Sequence, residues 1–176
     1  MLFEAQASPD ERGYFVRLYD KAALEGAGIG TEFPQWSAAY NERAGTLRGL
    51  HFNAEPYAEA KLVRVVSGAI YDVLLDLRPH SATFGEWSAF ELRESEPQTL
   101  YVPPGFAHGY QTLTDRCYVA YAISLPYVPE AARGVDALDP ALGIAWPLPV
   151  QAHSARDRGL PTLRAYLDQL GNGARS

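Results

Sequence analysis

Eight short runs rich in β-branched and aromatic residues alternate along this sequence with Gly, Pro and Asn residues that break regular structure. The runs are YFVRLY, WSAAYN, GTLRGLHF, KLVRVV, AIYDVLLDL, EWSAFEL, TLYVP and CYVAYAIS. Their length and spacing are typical of strands in an all-β sandwich or barrel. Helical features occur in DKAALEGAG, which Gly26 or Gly28 would end, and in LPTLRAYLDQLGNG, whose leucines lie at helical spacing before Gly171. We therefore predict an all-β fold with short flanking helices.

The length and charge of the chain restrict its organisation and its partners. Its 176 residues suit one domain, and no repeat or linker divides them, so we expect a single domain over residues 1–176. The net charge of -6 disfavours nonspecific binding to nucleic acid, and no apolar run is long enough to cross a membrane. The N-terminus lacks a secretion-signal pattern, and Cys117 is the only cysteine, so we expect a cytoplasmic protein without an intramolecular disulfide.

The run YDVLLDL at residues 71–77 alternates between two different faces. An extended chain places Tyr, Val and two Leu side chains on one face, and it places Asp72 and Asp76 with a leucine on the other. The first face belongs to a core. The second suits the wall of a polar cavity or an interface, where we expect the two carboxylates to pair with Arg64 or Arg78.

Two of the four histidines lie in distinctive sequence contexts. The segment VPPGFAHGY predicts a strand, a tight turn and a return strand that directs His108 into a barrel. It matches the PxGxxH part of the second cupin motif. Gly45, five further residues and then His51-Phe52-Asn53 match the first cupin motif, except that Asn53 stands where a second histidine is usual. Together the two motifs predict a cupin double-stranded β-helix, or jelly roll.

The predicted barrel cavity suits proton transfer better than metal binding. A cupin normally supplies three histidines and a carboxylate to a metal, whereas this chain offers two histidines with Lys61 nearby. An ammonium adds a competing charge and has no lone pair, so we expect no metal. His51 is a candidate base with an ordinary pKa of about 6.5, and Lys61 and His108 are candidate donors to an oxyanion. This set points to enolisation, although His108 could equally be a structural histidine.

Ordered blocks from Asp10 to about Pro161 resemble the dTDP-4-dehydrorhamnose 3,5-epimerase family. The blocks are DERGYF, NERAGTLRGLHF, KLVRVVSGAIYDVLLDLRPHSATFGEW, VPPGFAHGYQTL, the pair Tyr121 and Tyr127 with Pro129, DPALGIAWP and SARD. The resemblance implies a cupin jelly roll that acts as a homodimer, borrows part of each site from its partner and uses no metal or organic cofactor. It also implies epimerisation at C3, C5 or both of a nucleotide-linked 4-keto-6-deoxy sugar, dTDP-linked in this family, in deoxysugar biosynthesis.

The resemblance also assigns roles to individual residues of this chain. His51 resembles the general base, Asp157 the carboxylate that orients it, Lys61 the group that stabilises the enolate oxygen at C4, and Tyr121 the acid on the opposite sugar face. The implied substrate contacts are Arg12 and Arg48 on the pyrophosphate, with one of them supplied by the partner, and His108, Tyr127, Phe15 and Asn41. Arg17 stands where the family commonly has Glu.

Three other functions are compatible with parts of this sequence. A sugar-nucleotide ketoisomerase on the same scaffold would also use an enolate, and product analysis separates it from an epimerase. A metal-dependent cupin such as a dioxygenase is disfavoured by Asn53 and Lys61, and the metal content of the pure protein would distinguish it from an epimerase. A noncatalytic sugar-nucleotide binding module is the third alternative, and it would show no proton exchange with solvent.

Some of these residues also have purely structural interpretations. Judged from the residues alone, Tyr121 and Tyr127 could be core or rim aromatics and Arg12 an exposed turn residue.

Overall fold

Two antiparallel β-sheets face each other in this protein, and short helices lie outside them. The computed structural model describes residues 1–173. Its strands are β1 (Leu2–Glu4), β2 (Ala7–Asp10), β3 (Gly13–Val16), β4 (Gln35–Asn41), β5 (Thr46–Asn53), β6 (Lys61–Ser67), β7 (Ala69–Asp76), β8 (Trp87–Arg93), β9 (Gln98–Val102), β10 (Phe106–Thr112), β11 (Cys117–Ile123), β12 (Ala132–Gly134) and β13 (Ala152–His153). Its α-helices are α1 (Lys21–Gly26), α2 (Ala155–Arg158) and α3 (Leu163–Gly173).

The strand order confirms the predicted all-β jelly roll. One sheet has the order β1-β9-β6-β11-β4, and the other has the order β12-β5-β10-β7-β8 with β13 beside β5. Strands distant in sequence pair with each other, as β5 does with β10 and β6 with β11. Such crossing connections are typical of jelly rolls.

Apolar side chains form three buried clusters, one between the sheets and one outside each sheet. The inner cluster includes Val63, Leu74, Leu100, Cys117 and Val119, which come from both sheets. The outer cluster on the β5 sheet joins its strands to the C-terminal segment, and the outer cluster on the β6 sheet joins that sheet to α1. Cys117 is a free thiol, and burial raises its pKa to about 11. Both faces of each sheet are therefore covered over much of their area.

A close approach between β5 and β10 brings the two motif histidines into register. His51 and His108 are directly paired across these strands. Gly49 has a φ of 118°, and a Cβ built there would lie 2.6 Å from the Cα of Gly109. Only glycine at position 49 allows this backbone conformation and this approach. The predicted turn before His108 is also present, with Gly105 at a φ of 82°.

Most predicted elements are present, and their limits show where the sequence pattern was insufficient. The run YFVRLY was predicted as a strand as far as Tyr19, but β3 ends at Val16 because Asp20 caps α1 through the Ala22 and Ala23 N–H groups. Gly171 was predicted to end the last helix, which instead continues to Gly173. The short strands β1, β2, β12 and β13 were not predicted, since their sequences lack strand alternation.

The N-terminal hairpin and strand β4 leave aromatic side chains exposed. Strands β2 and β3 pair only with each other among the described residues, and Phe15 on β3 is 69% exposed. Strand β4 is the last strand of its sheet, and Trp36 on it is 62% exposed. Exposed aromatic residues on a sheet edge are typical of a surface that another chain covers. Across residues 1–173, no helix combines the length and the apolar character needed to cross a membrane.

Candidate active site

A cavity of about 250 Å³ lies between the two sheets and contains most of the polar residues that the sequence indicated. Its polar lining includes Arg48, His51, Glu59, Lys61, His108 and Tyr121. A hollow of about 160 Å³ adjoins it and shares His51, Glu59 and Lys61. Hollows of about 330 and 490 Å³ elsewhere on the protein are lined without histidine. The histidine-lined cavity is therefore the candidate active site.

His51 on β5 is partly exposed and forms a dyad with the buried Asp157. The Nε2 atom of His51 lies 2.8 Å from Oδ1 of Asp157, and the N–H group of Gly49 donates to Oδ2 at 3.4 Å. Asp157 lies in α2, where its own N–H group donates to the capping hydroxyl of Ser154 at 3.0 Å. An ionised carboxylate can only accept hydrogen bonds, so Nε2 carries the proton of the neutral ring and Nδ1 keeps its lone pair.

The surroundings of His51 favour the neutral, basic form of its ring. Burial lowers the pKa of His51 from its usual value, and the hydrogen bond that His51 donates to Asp157 raises it by a smaller amount. The charges of Arg156 and Lys61 lower this pKa further. His51 is therefore a neutral base at neutral pH, held in one orientation by Asp157.

Tyr121 enters the same cavity from the opposite sheet. It lies on β11, whereas His51 lies on β5. Burial raises the pKa of Tyr121 well above its usual value, and the neighbouring Tyr110 raises it further. The phenol therefore stays protonated and can donate a proton. A substrate between the sheets would have a base on one side and an acid on the other.

Lys61 provides a positive charge in the cavity beside that of Arg48, and Glu59 holds it. The Nζ atom of Lys61 lies 3.1 Å from Oε1 of Glu59. The amide of Asn53 donates to Oε2 of the same glutamate at 3.0 Å. Within residues 1–173, no three His, Cys, Asp or Glu side chains are grouped as metal ligands. Glu59 was missed in the sequence, although its position two residues before Lys61 in an extended segment would have placed both on one face.

His108 is bound to a carboxylate that was predicted to pair elsewhere. Its Nε2 atom lies 2.8 Å from Oδ2 of Asp72, and both side chains are buried. The predicted pairing of Asp72 with Arg64 or Arg78 is wrong because Asp72 binds His108, which lies on the adjacent strand β10 two residues before Tyr110, the residue directly opposite Asp72. The other predicted pairing is confirmed, since Asp76 binds Arg78 at 2.6 Å. The face of β7 that carries Asp72 therefore supports the cavity through His108 and does not line it.

Arg48 lines the cavity, and Asn41 holds it from behind. The Nε atom of Arg48 donates to Oδ1 of Asn41 at 2.7 Å and Nη2 donates to the Tyr40 carbonyl at 3.3 Å, which leaves Nη1 and the second hydrogen of Nη2 to the cavity. Asn41 itself is only 2% exposed and also binds the Tyr110 hydroxyl and the Cys117 carbonyl. Asn41 was expected to contact substrate directly, which its burial prevents in this structure. Its contacts indicate that it positions Arg48.

Three further residues that the sequence indicated lie outside the cavity of their own chain. Arg12 is in the turn of the N-terminal hairpin and pairs with Asp10 at 2.5 Å, and Phe15 follows it on β3. Neither residue lines the cavity. Tyr127 lines the adjoining hollow and is 64% exposed. The hairpin residues can therefore serve a site only if that site belongs to another copy of the chain.

This arrangement provides the groups that enolisation and reprotonation require. His51 is a neutral base, Tyr121 is a protonated acid on the other side, and Lys61 lines the same cavity with a positive charge. Removal of a proton next to a ketone leaves a negative charge on the ketone oxygen, which a nearby ammonium stabilises. Return of a proton from the opposite side inverts the carbon.

Comparison with known proteins identifies relatives that have the same fold. A family model described as dTDP-4-dehydrorhamnose 3,5-epimerase matches residues 1–165. The enzyme of that name from Methanothermobacter thermautotrophicus is 39% identical over 167 residues, which are 93% of this chain and 89% of the relative. The Bacillus anthracis dTDP-4-dehydrorhamnose 3,5-epimerase, solved with TDP and PPi bound, has a TM-score of 0.90 at 41% identity and covers 92% of this chain and 93% of its own. ChmJ, a 3'-monoepimerase from Streptomyces bikiniensis solved with dTDP-quinovose, has a TM-score of 0.89 at 33% identity and covers 97% of this chain and 86% of its own.

Proposed function

Because this chain belongs to the dTDP-4-dehydrorhamnose 3,5-epimerase family, we propose that it inverts C3, C5 or both of a dTDP-linked 4-keto-6-deoxy sugar through an enolate. It is an isomerase of the racemase and epimerase class, and such a reaction belongs to deoxysugar biosynthesis, as in the formation of rhamnose. The observation that carries the proposal is the opposition of His51 and Tyr121 across one cavity.

The first step of the proposed reaction is removal of a proton by His51. The Nδ1 atom of His51 takes the proton from the carbon next to the C4 ketone, and the electron pair of that C–H bond moves to the C4 oxygen. Asp157 stabilises the imidazolium that forms, because its carboxylate accepts the Nε2–H hydrogen bond. The ammonium of Lys61 stabilises the enolate oxygen, and His108, which lines the same cavity from the β5 sheet, is a further polar contact.

The second step returns a proton from the other face. The Tyr121 hydroxyl donates its proton to the enolate carbon while the C4 carbonyl re-forms, which inverts that carbon. Before the next turnover the phenolate regains a proton from solvent and the His51 imidazolium releases its proton to solvent. The scheme needs no metal or organic cofactor, since Lys61 supplies the positive charge.

Arginine side chains are the proposed contacts for the nucleotide. The guanidinium of Arg48 suits two pyrophosphate oxygens at once, and its orientation is fixed by Asn41. The TDP found in the B. anthracis relative supports a thymidine nucleotide here. Arg12, Phe15 and the exposed Tyr127 are proposed to complete the substrate site.

We also propose that the protein is cytoplasmic. The buried, reduced Cys117 agrees with this location.

Deuterium incorporation from heavy water should test this function directly. With a dTDP-4-keto-6-deoxy sugar, the protein should introduce solvent deuterium next to C4 and invert the labelled carbon, and dialysis against a chelator should leave both rates unchanged. Mass spectrometry measures the incorporation, and NMR of the product identifies the inverted carbon. Absence of incorporation would leave a noncatalytic binding protein, a shifted carbonyl would identify a ketoisomerase, and loss on chelation that added metal restores would identify a metal enzyme.

A homodimer is the proposed active form, with the N-terminal hairpin of each chain completing the partner's site. Light scattering should give twice the chain mass of 19.3 kDa. The variant Trp36→Glu places a charge on the exposed edge strand β4, so it should lower both the measured mass and the activity. Leu138→Glu adds the same charge at an exposed leucine away from β4 and serves as the control. A monomer with full activity would contradict both the pairing and the shared site.

A further inference from the structure

Glu59 is a buried carboxylate in the cavity, and both of its oxygens are engaged. Oε1 binds the Lys61 ammonium at 3.1 Å, and Oε2 accepts from the Asn53 amide at 3.0 Å. The side chains of Lys61 and Glu59 are only 13% and 11% exposed. Asn53 is also the residue that departs from the cupin motif, where a histidine is usual. Asn53 therefore has a structural role here, because its amide orients the Glu59 carboxylate, which in turn holds the Lys61 ammonium.

The backbone around this ion pair is well anchored, whereas the lysine side chain alone is not. Lys61 begins β6 and is paired on both sides, with Val102 of β9 and Ile123 of β11. The N–H group of Ala60, between Glu59 and Lys61, donates to the Ser124 hydroxyl at 2.8 Å. A lysine side chain nevertheless rotates freely about its four-carbon stem, so a fixed backbone does not fix the ammonium. A partner for the ammonium is needed to hold it where a substrate oxygen would be.

We propose that Glu59, oriented by Asn53, is the positioning residue that holds the Lys61 ammonium against the enolate oxygen. The inference rests on the proposed function, since it concerns the oxyanion of that reaction. A proton on Glu59 would remove the charge that pairs with Lys61 and holds it, so the proposal gives Glu59 no role as a second base. Its negative charge also balances the ammonium in a buried place where an unpaired cation would be costly. Glu59 therefore acts on the reaction only through Lys61.

The variant Glu59→Gln tests the positioning role, because it keeps the shape of the side chain and removes its charge. We expect deuterium incorporation at saturating substrate to fall about 10- to 100-fold, because a displacement of about 1 Å from the reactive position can lower a rate by about 100-fold. The KM should stay within about twofold, since the nucleotide contacts of Arg48 are untouched. Asn53→Ala should lower incorporation in the same direction. Glu25→Gln, which breaks the exposed pair with Lys21 on α1, is the matched control and should change nothing.

Repeating the substitution in a Lys61→Met background separates positioning from a general structural role. If Glu59 acts only through Lys61, Glu59→Gln should cause no further loss in that background. An equal loss in both backgrounds would overturn the inference, and so would a Glu59→Gln protein with wild-type incorporation. Failure of the proposed function would look different, because the unsubstituted protein would then incorporate no deuterium at all.

Discussion

Replacing His51 with asparagine should reduce solvent-deuterium incorporation into the sugar to near background. Asparagine keeps a similar shape and some hydrogen bonding to Asp157, but it has no basic nitrogen. General bases typically contribute about 10²- to 10⁴-fold to a rate, so the loss should be far above assay noise. Incorporation and inversion should fall together, because the enolate that both require no longer forms. Mass spectrometry of the recovered sugar nucleotide measures the first quantity, and NMR measures the second.

The pH dependence of the unsubstituted protein provides an independent check on His51. Burial lowers the pKa of His51, so the ring stays neutral and basic to below the usual imidazole value of about 6.5. The rate should hold at neutral pH and fall only as the pH falls through this lowered value. His153→Asn removes a histidine outside the cavity and should leave the profile unchanged. Near-normal incorporation by His51→Asn would exclude His51 as the base.

Replacing Tyr121 with phenylalanine should separate proton exchange from inversion. Phenylalanine keeps the ring packed between the sheets and removes only the hydroxyl that donates the second proton. His51 can still form the enolate and return deuterium to the face from which it took the proton. Inversion should therefore fall by about 10²- to 10⁴-fold, the usual contribution of a general acid, while incorporation stays measurable.

A second tyrosine provides the control for this separation. Tyr71→Phe removes a phenol that packs against Trp146 outside the cavity, so both rates should be unchanged. If Tyr121→Phe lost incorporation and inversion in the same proportion as His51→Asn, the division of roles between the two faces would be wrong. That result would make Tyr121 necessary for forming the enolate and not only for returning the proton.

The fold was predictable because strand alternation and two motifs can each be recognised within a short stretch of sequence. The segment around His108 specifies its own turn through Gly105, and GTLRGLHF specifies the strand that carries His51. The pairing of these strands follows from the jelly-roll topology that both motifs indicate. Short edge strands and the end of α3 were not predictable, because neighbouring segments and not local periodicity determine them.

The partners within the site were harder to predict, because they are distant in sequence. His51 and Asp157 are 106 positions apart, and their contact was implied only by resemblance to a family. Asp72 was assigned to the wrong partner because only arginines near it in sequence were considered, whereas the side chain that binds it is His108, 36 positions away on the adjacent strand β10. The pairing of Glu59 with Lys61 could have been predicted from their spacing alone. Its role could not, because the role depends on how little of both side chains is exposed in the folded protein.

The single thiol between the two sheets gives this protein an internal reporter of barrel opening. Cys117 is completely buried, and its raised pKa of about 11 keeps the sulfur protonated, and therefore unreactive, at neutral pH. A thiol reagent can reach it only while the sheets are apart, so the labelling rate measures how often the cavity wall opens. A nucleotide sugar that contacts residues of both sheets would slow that labelling, which makes occupancy of the site measurable without following any reaction.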